Sequence, residues 1–451
     1  MAERSDDQAP PDERAPATAP ASAPTASPPR HDASAVEDAS LAATASSRRH
    51  DAAAAVDAAP ATASAGWRSL DPDIIKLGLV SFLTDLSSEM IFSVFAIFFT
   101  TVAGASSSLL GLIEGLADFS ASSLNYLSGW LSDRSGGRKA LVVAGYGFST
   151  LAKTILLVST SVTGLALFRV IERLGKGFRG PPRDAWLSAI ATSERRGYAF
   201  GVHKALDKSG AVLGPLMAWG LLSWLGESGA TYRLLFWVAV VPAIVSVAML
   251  ATVDERPAAP HARESVWQNW RALSPGFKRY LLPGGLFALA YYSLGFLLLK
   301  AHEVGFSVTD IVLLYAFFNV TCVLAAPSVG RLGDRIGRRR VIVLGYLVHG
   351  LLNVWLALAH GRCEMIAAFG VYGLFYAIED AQSKAYVADL EPERRASAIG
   401  IYSFVTGALY LPASLLAGAL WSIAPAWTFT AAALLSLAAI LLFTALKPPP
   451  A

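Results

Sequence analysis

The sequence predicts an all-α membrane protein: twelve transmembrane helices in two six-helix bundles, preceded by a disordered N-terminal tail. Three observations lead there. Of 451 residues, 54% are hydrophobic and 16% charged, a balance that one soluble core could not hide and that a bilayer accepts. Apolar runs of about 20 residues, enough to cross a hydrocarbon core as helix, recur twelve times. A polar string between the second and third runs then returns between the eighth and ninth.

In chain order, residues 1–66 are dominated by Ala, Pro, Ser, Thr, Asp and Arg. Such a composition cannot offset chain entropy by burial, so a disordered tail is expected. It has no apolar h-region with a small-residue cleavage site, so it should stay attached and cytoplasmic. The N-terminal bundle is placed at 67–253, with runs near 74–101, 108–130, 140–160, 163–186, 204–225 and 232–252. Residues 254–278 carry Pro257, Pro260, Arg256, Arg263 and Arg271 and read as a polar cytoplasmic linker, with a short surface helix at Val266–Leu273. The C-terminal bundle follows at 279–446, with runs near 279–300, 308–330, 341–360, 364–387, 397–420 and 424–446, and 447–451 form a short tail.

Orientation follows from Lys and Arg in the short loops. Loops holding Arg134, Arg138, Lys139, Arg195, Arg196, Arg335–Arg340, Arg394 and Arg395 fall on one side if the runs alternate. Opposite loops such as Ala103–Ser107 and Ser422–Pro425 carry no charge. Both termini are therefore expected in the cytoplasm and the protein in a bacterial inner membrane.

The repeated string is Gly129-Trp-Leu-Ser-Asp133-Arg134-Ser-Gly136-Gly137-Arg138-Lys139, matched by Gly330-Arg-Leu-Gly-Asp334-Arg335-Ile-Gly337-Arg338-Arg339-Arg340. A second repeat pairs Glu194-Arg-Arg-Gly197-Tyr-Ala-Phe-Gly201 with Glu393-Arg-Arg-Ala396-Ser-Ala-Ile-Gly400. The pattern G-x-x-x-D-R-x-G-x-R-[KR] resembles the loop signature of the major facilitator superfamily, over residues 70 to 446. That resemblance implies parallel six-helix repeats that rock about a central site. The loop would act as a gating latch: Gly129 and Gly330 allow close helix approach, while Asp133 and Asp334 pair with bases or a helix N-terminus. Topology anchoring is the plainer alternative.

Two further strings extend the resemblance. Arg169-Val-Ile-Glu172-Arg173-Leu-Gly175-Lys176-Gly177 is similar to the family's R-x-x-Q-G motif, with Glu172 and Arg173 as departures, and places Arg169 at the position associated with proton coupling. Continued through Arg179, Pro182, Arg183, Asp184 and Ala185, it resembles one prokaryotic branch. Gly210-Ala-Val-Leu-Gly214-Pro215-Leu-Met-Ala218 resembles the family's antiporter motif, with Ala218 as a departure. It serves equally as a small-residue packing face.

Charges inside apolar runs cost roughly 2.5–3.5 kcal/mol each at the bilayer centre, so they demand partners, an aqueous cavity or a function. Asp85 and Glu89 lie four residues apart in the first run, Glu114 and Asp118 four apart in the second, and each pair shares a helix face. With Arg169, Glu172 and Arg173 they are the proton-coupling candidates, Glu89 first among them. A static buried network is the alternative. Lys176 and Arg179 approach the cytoplasmic end and can snorkel. In the second half, Asn319, Tyr376, Glu379, Asp380 and Tyr402 are the substrate-cavity candidates. The charged first bundle would handle coupling and the more apolar second would shape the substrate face. His203 reads as a loop contact, and Cys322 and Cys363 as packing residues without metal spacing.

The expected function is secondary active transport of a small organic solute, as a proton-coupled exporter or antiporter working by alternating access. Proton-coupled uptake of an organic anion is the alternative, and a non-transporting sensor or enzyme on the same scaffold a remote one. No nucleotide-binding loop, nucleophile elbow or metal cluster points to catalysis or to a cofactor. The net charge of +3 is spread over loops, so partners should be solute, proton and lipid bilayer and not nucleic acid. A monomer is expected. With Cys322 and Cys363 replaced, a single cysteine at Arg339 should be shielded from an impermeant thiol reagent in intact cells, whereas one at Ser106 should react. Labelling of the first from outside would invert the orientation.

Overall fold

A computed structural model describes residues 70–447 except 136, 193–194, 256–269 and 393. The expected tail 1–66, most of the linker with its surface helix, the last four residues, and the side chain of Asp133 lie outside the described residues. Of that surface helix, 270–273 are described, with 270–272 helical and 273 a bend.

Thirteen α-helices make up the described part. They are α1 (Pro72–Ile97), α2 (Ser107–Ser135), α3 (Lys139–Val158), α4 (Val162–Ile190), α5 (Arg196–Leu225), α6 (Gly229–Leu250), α7 (Pro275–Ala290), α8 (Leu294–Glu303), α9 (Val308–Ile336), α10 (Arg338–Leu358), α11 (Arg362–Leu390), α12 (Arg395–Ile423) and α13 (Pro425–Leu446). A π-helical turn, Phe98–Val102, continues α1. Serine side chains accept from the first-turn N–H groups of α4, α6, α7, α8 and α9, at Ser161, Ser228, Ser274, Ser293 and Ser307, satisfying donors that a helix start leaves orphaned.

Several helices outrun the apolar runs that signalled them. The fifth run, read from 204, begins as helix at Arg196, because a helix continues into water where its polar residues are solvated. Counting α1 with its π turn, and α7 with α8, as single stretches, eight of the helices are long and apolar enough to cross a membrane. The long helices outside that set, α2, α4, α5 and α11, are rich in charge: α4 alone carries Arg169, Glu172, Arg173, Lys176 and Arg179.

The run read as one helix over 279–300 is two. Backbone hydrogen bonding stops at Tyr291, which is extended at ψ 105°, and restarts with Ser293 as the cap of α8. Side chains stabilise the break, since Tyr292 Oη donates to Asn353 Oδ1 at 2.9 Å and Ser293 Oγ donates to Glu114 Oε2 at 3.0 Å.

The first six helices pack chiefly on one another, with α1 against α5 and α6, and α4 against α2 and α3. The later seven repeat this, α11 lying against α9 and α10, and α13 against α7 and α10. Between the groups, α2 packs on α12 and α5 on α9, so the second stretch of each half meets the fifth of the other.

Glycines set the closest approaches. A Cβ on Gly175 would sit 2.6 Å from Gly145 O, and one on Gly145 would sit 2.9 Å from Gly175 O, where α3 crosses α4. Gly111 abuts the Ser414 carbonyl and Gly115 lies on Leu411, joining α2 to α12 backbone to backbone. Gly147 faces open space. Gly175→Leu should therefore destabilise the protein by about 1–3 kcal/mol or more through overpacking, read as a lower melting temperature in detergent, while Gly147→Leu should melt near the parent temperature.

Candidate functional site

A cavity of about 570 Å³ lies between the two groups of helices. At the end carrying the repeated motif it is bordered by exposed side chains, Lys204 at 60% and Lys384 at 53%. At the other end it stops against buried Phe95, Ala96, Glu114 and Leu298. It therefore opens at the motif end. Its closed end is held by bonds across the halves: Ser108 Oγ to Ser422 Oγ at 2.8 Å, and Glu227 Oε1 accepting from Thr309 N and Oγ1 at 2.7 and 2.8 Å.

Helical spacing brings the expected charges to this space. Asp85, Glu89, Glu114, Asp118, Arg169 and Arg173 all line it, each successive pair four residues apart on its helix and so on one face. Most are paired. Arg169 donates to both Glu114 oxygens at 2.6 Å, and its guanidinium lies 4.2 Å from the Phe92 ring centroid. Arg173 meets Asp118 at 3.4 Å, Arg179 meets Asp85 at 3.9 Å, and Arg183 meets Asp207 at 3.8 Å. Lys384 holds Asp380 at 2.9 Å. Glu89 differs, because its partner is a neutral phenol: Tyr315 on α9 donates to its Oε2 in a short hydrogen bond. Tyr315 and Ser293 thus reach across from the second half to two carboxylates of the first.

Glu172 stands off the cavity wall. It is fully buried in α4, accepts from Ser88 Oγ at 3.4 Å, and is absent from the cavity wall, because it lies one position from Arg173 and hence about 100° around the helix. Lys153 is likewise fully buried, and its Nζ and Glu172 Oε2 lack hydrogen-bond partners among the described residues.

In the second half, Asn319, Tyr376 and Asp380 line the cavity, whereas Glu379 and Tyr402 do not. Tyr402 stacks on Tyr280, with centroids 5.7 Å apart, and donates to Glu379 Oε1 at 3.2 Å. Glu379 neighbours Asp380 in sequence and so turns towards α12. Tyr291, Ser293, Tyr315, Phe318, Tyr372 and Lys208 also line the cavity and escaped the sequence reading. The spacing held a signal for some of them, since 372, 376, 380 and 384 form one stripe along α11.

His203 is not a loop contact: it lies buried within α5 and shares a 3.0 Å hydrogen bond with Ser81 Oγ. Cys322 is buried, but Cys363 is exposed and packs no core. Gly210 and Gly214 press on the first helix, where added Cβ atoms would meet the Phe82 and Leu86 carbonyls, and Pro215 follows inside the same helix.

The motif bases bind within their own halves. Arg138 Nη1 donates to Ala185 O at 2.9 Å, and Lys139 Nζ donates to Ala251 O and Val253 O at 3.0 and 2.7 Å. Glu255 accepts from the Arg138 and Lys139 N–H groups at 2.6 and 3.0 Å, a carboxylate on a helix start. Arg134 lies 5.3 Å from the Trp130 ring centroid and Gly129 is buried in α2. In the second copy, Arg338 pairs with Asp389 and, at 3.5 Å, with Asp334. There Arg335 is exposed and a Cβ on Gly330 would meet nothing, so that glycine is not a close-approach point.

The major facilitator superfamily model matches residues 77–299 and again 281–451. The chain belongs to this superfamily. It is 34% identical over 369 residues, 80% of the chain and 92% of the relative, to an uncharacterized MFS-type transporter of Methanocaldococcus jannaschii. A probable 4-methylmuconolactone transporter of Cupriavidus pinatubonensis is 28% identical over 232 residues, 48% of the chain and 53% of that protein. Among solved structures, a bacterial homologue of the human lysosomal transporter Spinster, inward-facing and occupied, shares the fold at TM-score 0.67 and 17% identity, over 83% of this chain and 96% of that one. The nucleoside transporter NupG aligns at TM-score 0.66 and 14% identity, over 84% and 100%. The protein is thus a multi-pass membrane transporter with a small-molecule substrate.

Removing one partner of the buried Arg169–Glu114 pair strands the other. Glu114→Gln should cost about 3–5 kcal/mol, read as a fall in melting temperature in detergent, and Arg169→Gln combined with it should restore part of the loss.

Proposed function

We propose that the protein exports a small organic solute in exchange for protons, by alternating access about this cavity. Twelve spans, α7 and α8 forming the seventh, would rock as two six-span halves in a bacterial inner membrane, with the motif end in the cytoplasm. The observation that carries the reading is that two hydrogen bonds joining the halves inside the cavity end on carboxylates: Tyr315 on Glu89, and Ser293 on Glu114.

A hydroxyl donating to a charged carboxylate makes a bond roughly twice as strong as one between neutral groups. In the empty, deprotonated carrier, these bonds hold the far end closed and suppress slippage. A proton on Glu89 weakens the first bond, and a solute that displaces Tyr315 breaks it, so either ligand frees the halves but the empty carrier stays locked. Solute enters from the motif end, and a proton arrives from the other side for the return. Glu114 remains neutralised by Arg169 and serves as an anchor, which leaves Glu89 as the proton carrier. The motif bases keep α3, α4 and the chain after α6 moving as one body, and the glycines at 210 and 214 keep α5 seated on α1 during the swing.

Uptake of an organic anion with protons is the second reading, favoured by eight basic against six acidic side chains in the cavity wall. Proteoliposomes with an imposed pH gradient separate the two: solute moving against the proton flow supports export, and solute moving with it supports uptake. In the same vesicles Glu89→Gln should lose gradient-driven accumulation at least ten-fold while passive exchange persists, and Tyr315→Phe should leak protons without solute. Undiminished pH-driven transport by Glu89→Gln would remove that residue from the mechanism.

A further inference from the structure

We infer that the solute is a small aromatic carboxylate, an assignment that rests on the transport reading and adds its cargo class. Two features of the cavity specify it, one of charge and one of shape.

The charge feature is a pair of free ammonium groups. Lys176 and Lys208 line the cavity and form no ion pair among the described residues, whereas Asp85, Glu114, Asp118, Asp207 and Asp380 are each matched to a base. A cationic solute would find only Glu89, already holding Tyr315. An anion finds two unneutralised ammonium groups, and its binding lowers the self-repulsion of a wall rich in bases. Lys176, expected from the sequence to approach the cytoplasmic end, instead stands at the middle of the 29-residue α4, the depth at which a carrier exposed alternately to both sides must hold its load.

The shape feature is the opposite wall. Tyr291, Tyr315, Phe318, Tyr372, Tyr376 and Tyr410 line it, while Leu294 and Leu298 are the leucines there. Phe318 lies 5.6 Å from the ring centroids of both Tyr372 and Tyr376, and Tyr291 lies 5.2 Å from Tyr410. Tyr376 is midway along the 29-residue α11, as Lys176 is along α4. Such a wall offers ring faces and edges to a flat π-system, at separations that favour offset or edge-to-face contact. A volume of about 570 Å³ falls within the range of small-molecule sites, about 300–1,000 Å³. Carboxylate on the lysines and ring on the tyrosines is the pose that uses both walls.

The test is saturable binding of radiolabelled benzoate and 2-naphthoate to the purified full chain in detergent, with benzamide and cyclohexanecarboxylate as competitors. At least one aromatic acid should bind, and benzamide, which lacks the charge, and cyclohexanecarboxylate, which lacks the ring, should each compete at least ten-fold more weakly. Lys176→Gln and Lys208→Gln, checked for unchanged melting and elution, should each weaken acid binding about ten-fold and leave benzamide competition as it was. Tyr372→Leu should narrow the gap between ring and saturated acids. Binding of neither acid by folded protein, equal competition by benzamide, or equal competition by cyclohexanecarboxylate would each overturn the assignment. Gradient-driven flux of some other solute without acid binding would do so too, while leaving the transport reading intact. Acid binding with no flux of any solute would sink transport and keep the site.

Discussion

Burying an ionised group in a membrane protein is tolerable only where an opposite charge and hydrogen bonds replace the water it loses, and here the Arg169–Glu114 pair sets that condition. Both Glu114 oxygens take guanidinium N–H groups at 2.6 Å, and one also takes the Ser293 hydroxyl. The same contact therefore neutralises the deepest part of the cavity, fixes α2 to α4, and pins the break between α7 and α8 to the first half. The Tyr292 and Ser293 hydroxyls are satisfied by side chains outside their own stretch, and Ser293 Oγ also accepts from Gly295 N at 3.2 Å, so a backbone donor freed where the helix restarts inside a hydrophobic layer is not stranded.

The two walls differ in kind, although the two halves share a pattern of helix contacts. Matching helix contacts and the repeated loop string run through both halves. On that scaffold the first half places stripes of charge at four-residue spacing on α1, α2 and α4, and the second places aromatic rings on α9 and α11. In the proposed cycle, charge supplies long-range attraction and a place for a proton. Rings supply shape and dispersion without further desolvation cost. Among the described acids of the cavity wall, Glu89 alone lacks a cationic partner, so it is the one whose charge a proton can remove without stranding a base.

Much of this was legible in the sequence. Apolar runs gave the helices, and charges inside them marked the cavity, because a bilayer allows few other reasons for Asp85, Glu89, Glu114 and Asp118 to be there. What escaped notice depended on angle or on long-range pairing. Glu172 and Glu379 looked equivalent to their cavity-facing neighbours, yet one position along a helix turns a side chain by about 100°. The break at Tyr291–Ser293 lies in an apolar run, and one of the side chains that stabilise it, Glu114, is 179 residues from Ser293. Tyr376 was read as cavity-lining, whereas Lys208, Tyr291, Tyr315 and Tyr372 were visible as residues but not as a wall, since hydropathy does not separate an aromatic that packs from one that lines a cavity.

The central claim is that charge on cavity carboxylates holds the far end shut. It is tested most directly by distances between spin labels on native Cys363 and on a cysteine replacing Thr163, both exposed at that end, with Cys322 replaced, in lipid nanodiscs across a pH series. The account predicts one short distance at high pH and a growing long-distance population as pH falls, with Glu89→Gln showing the long population at every pH. A single distribution unchanged by pH in the parent protein would contradict it.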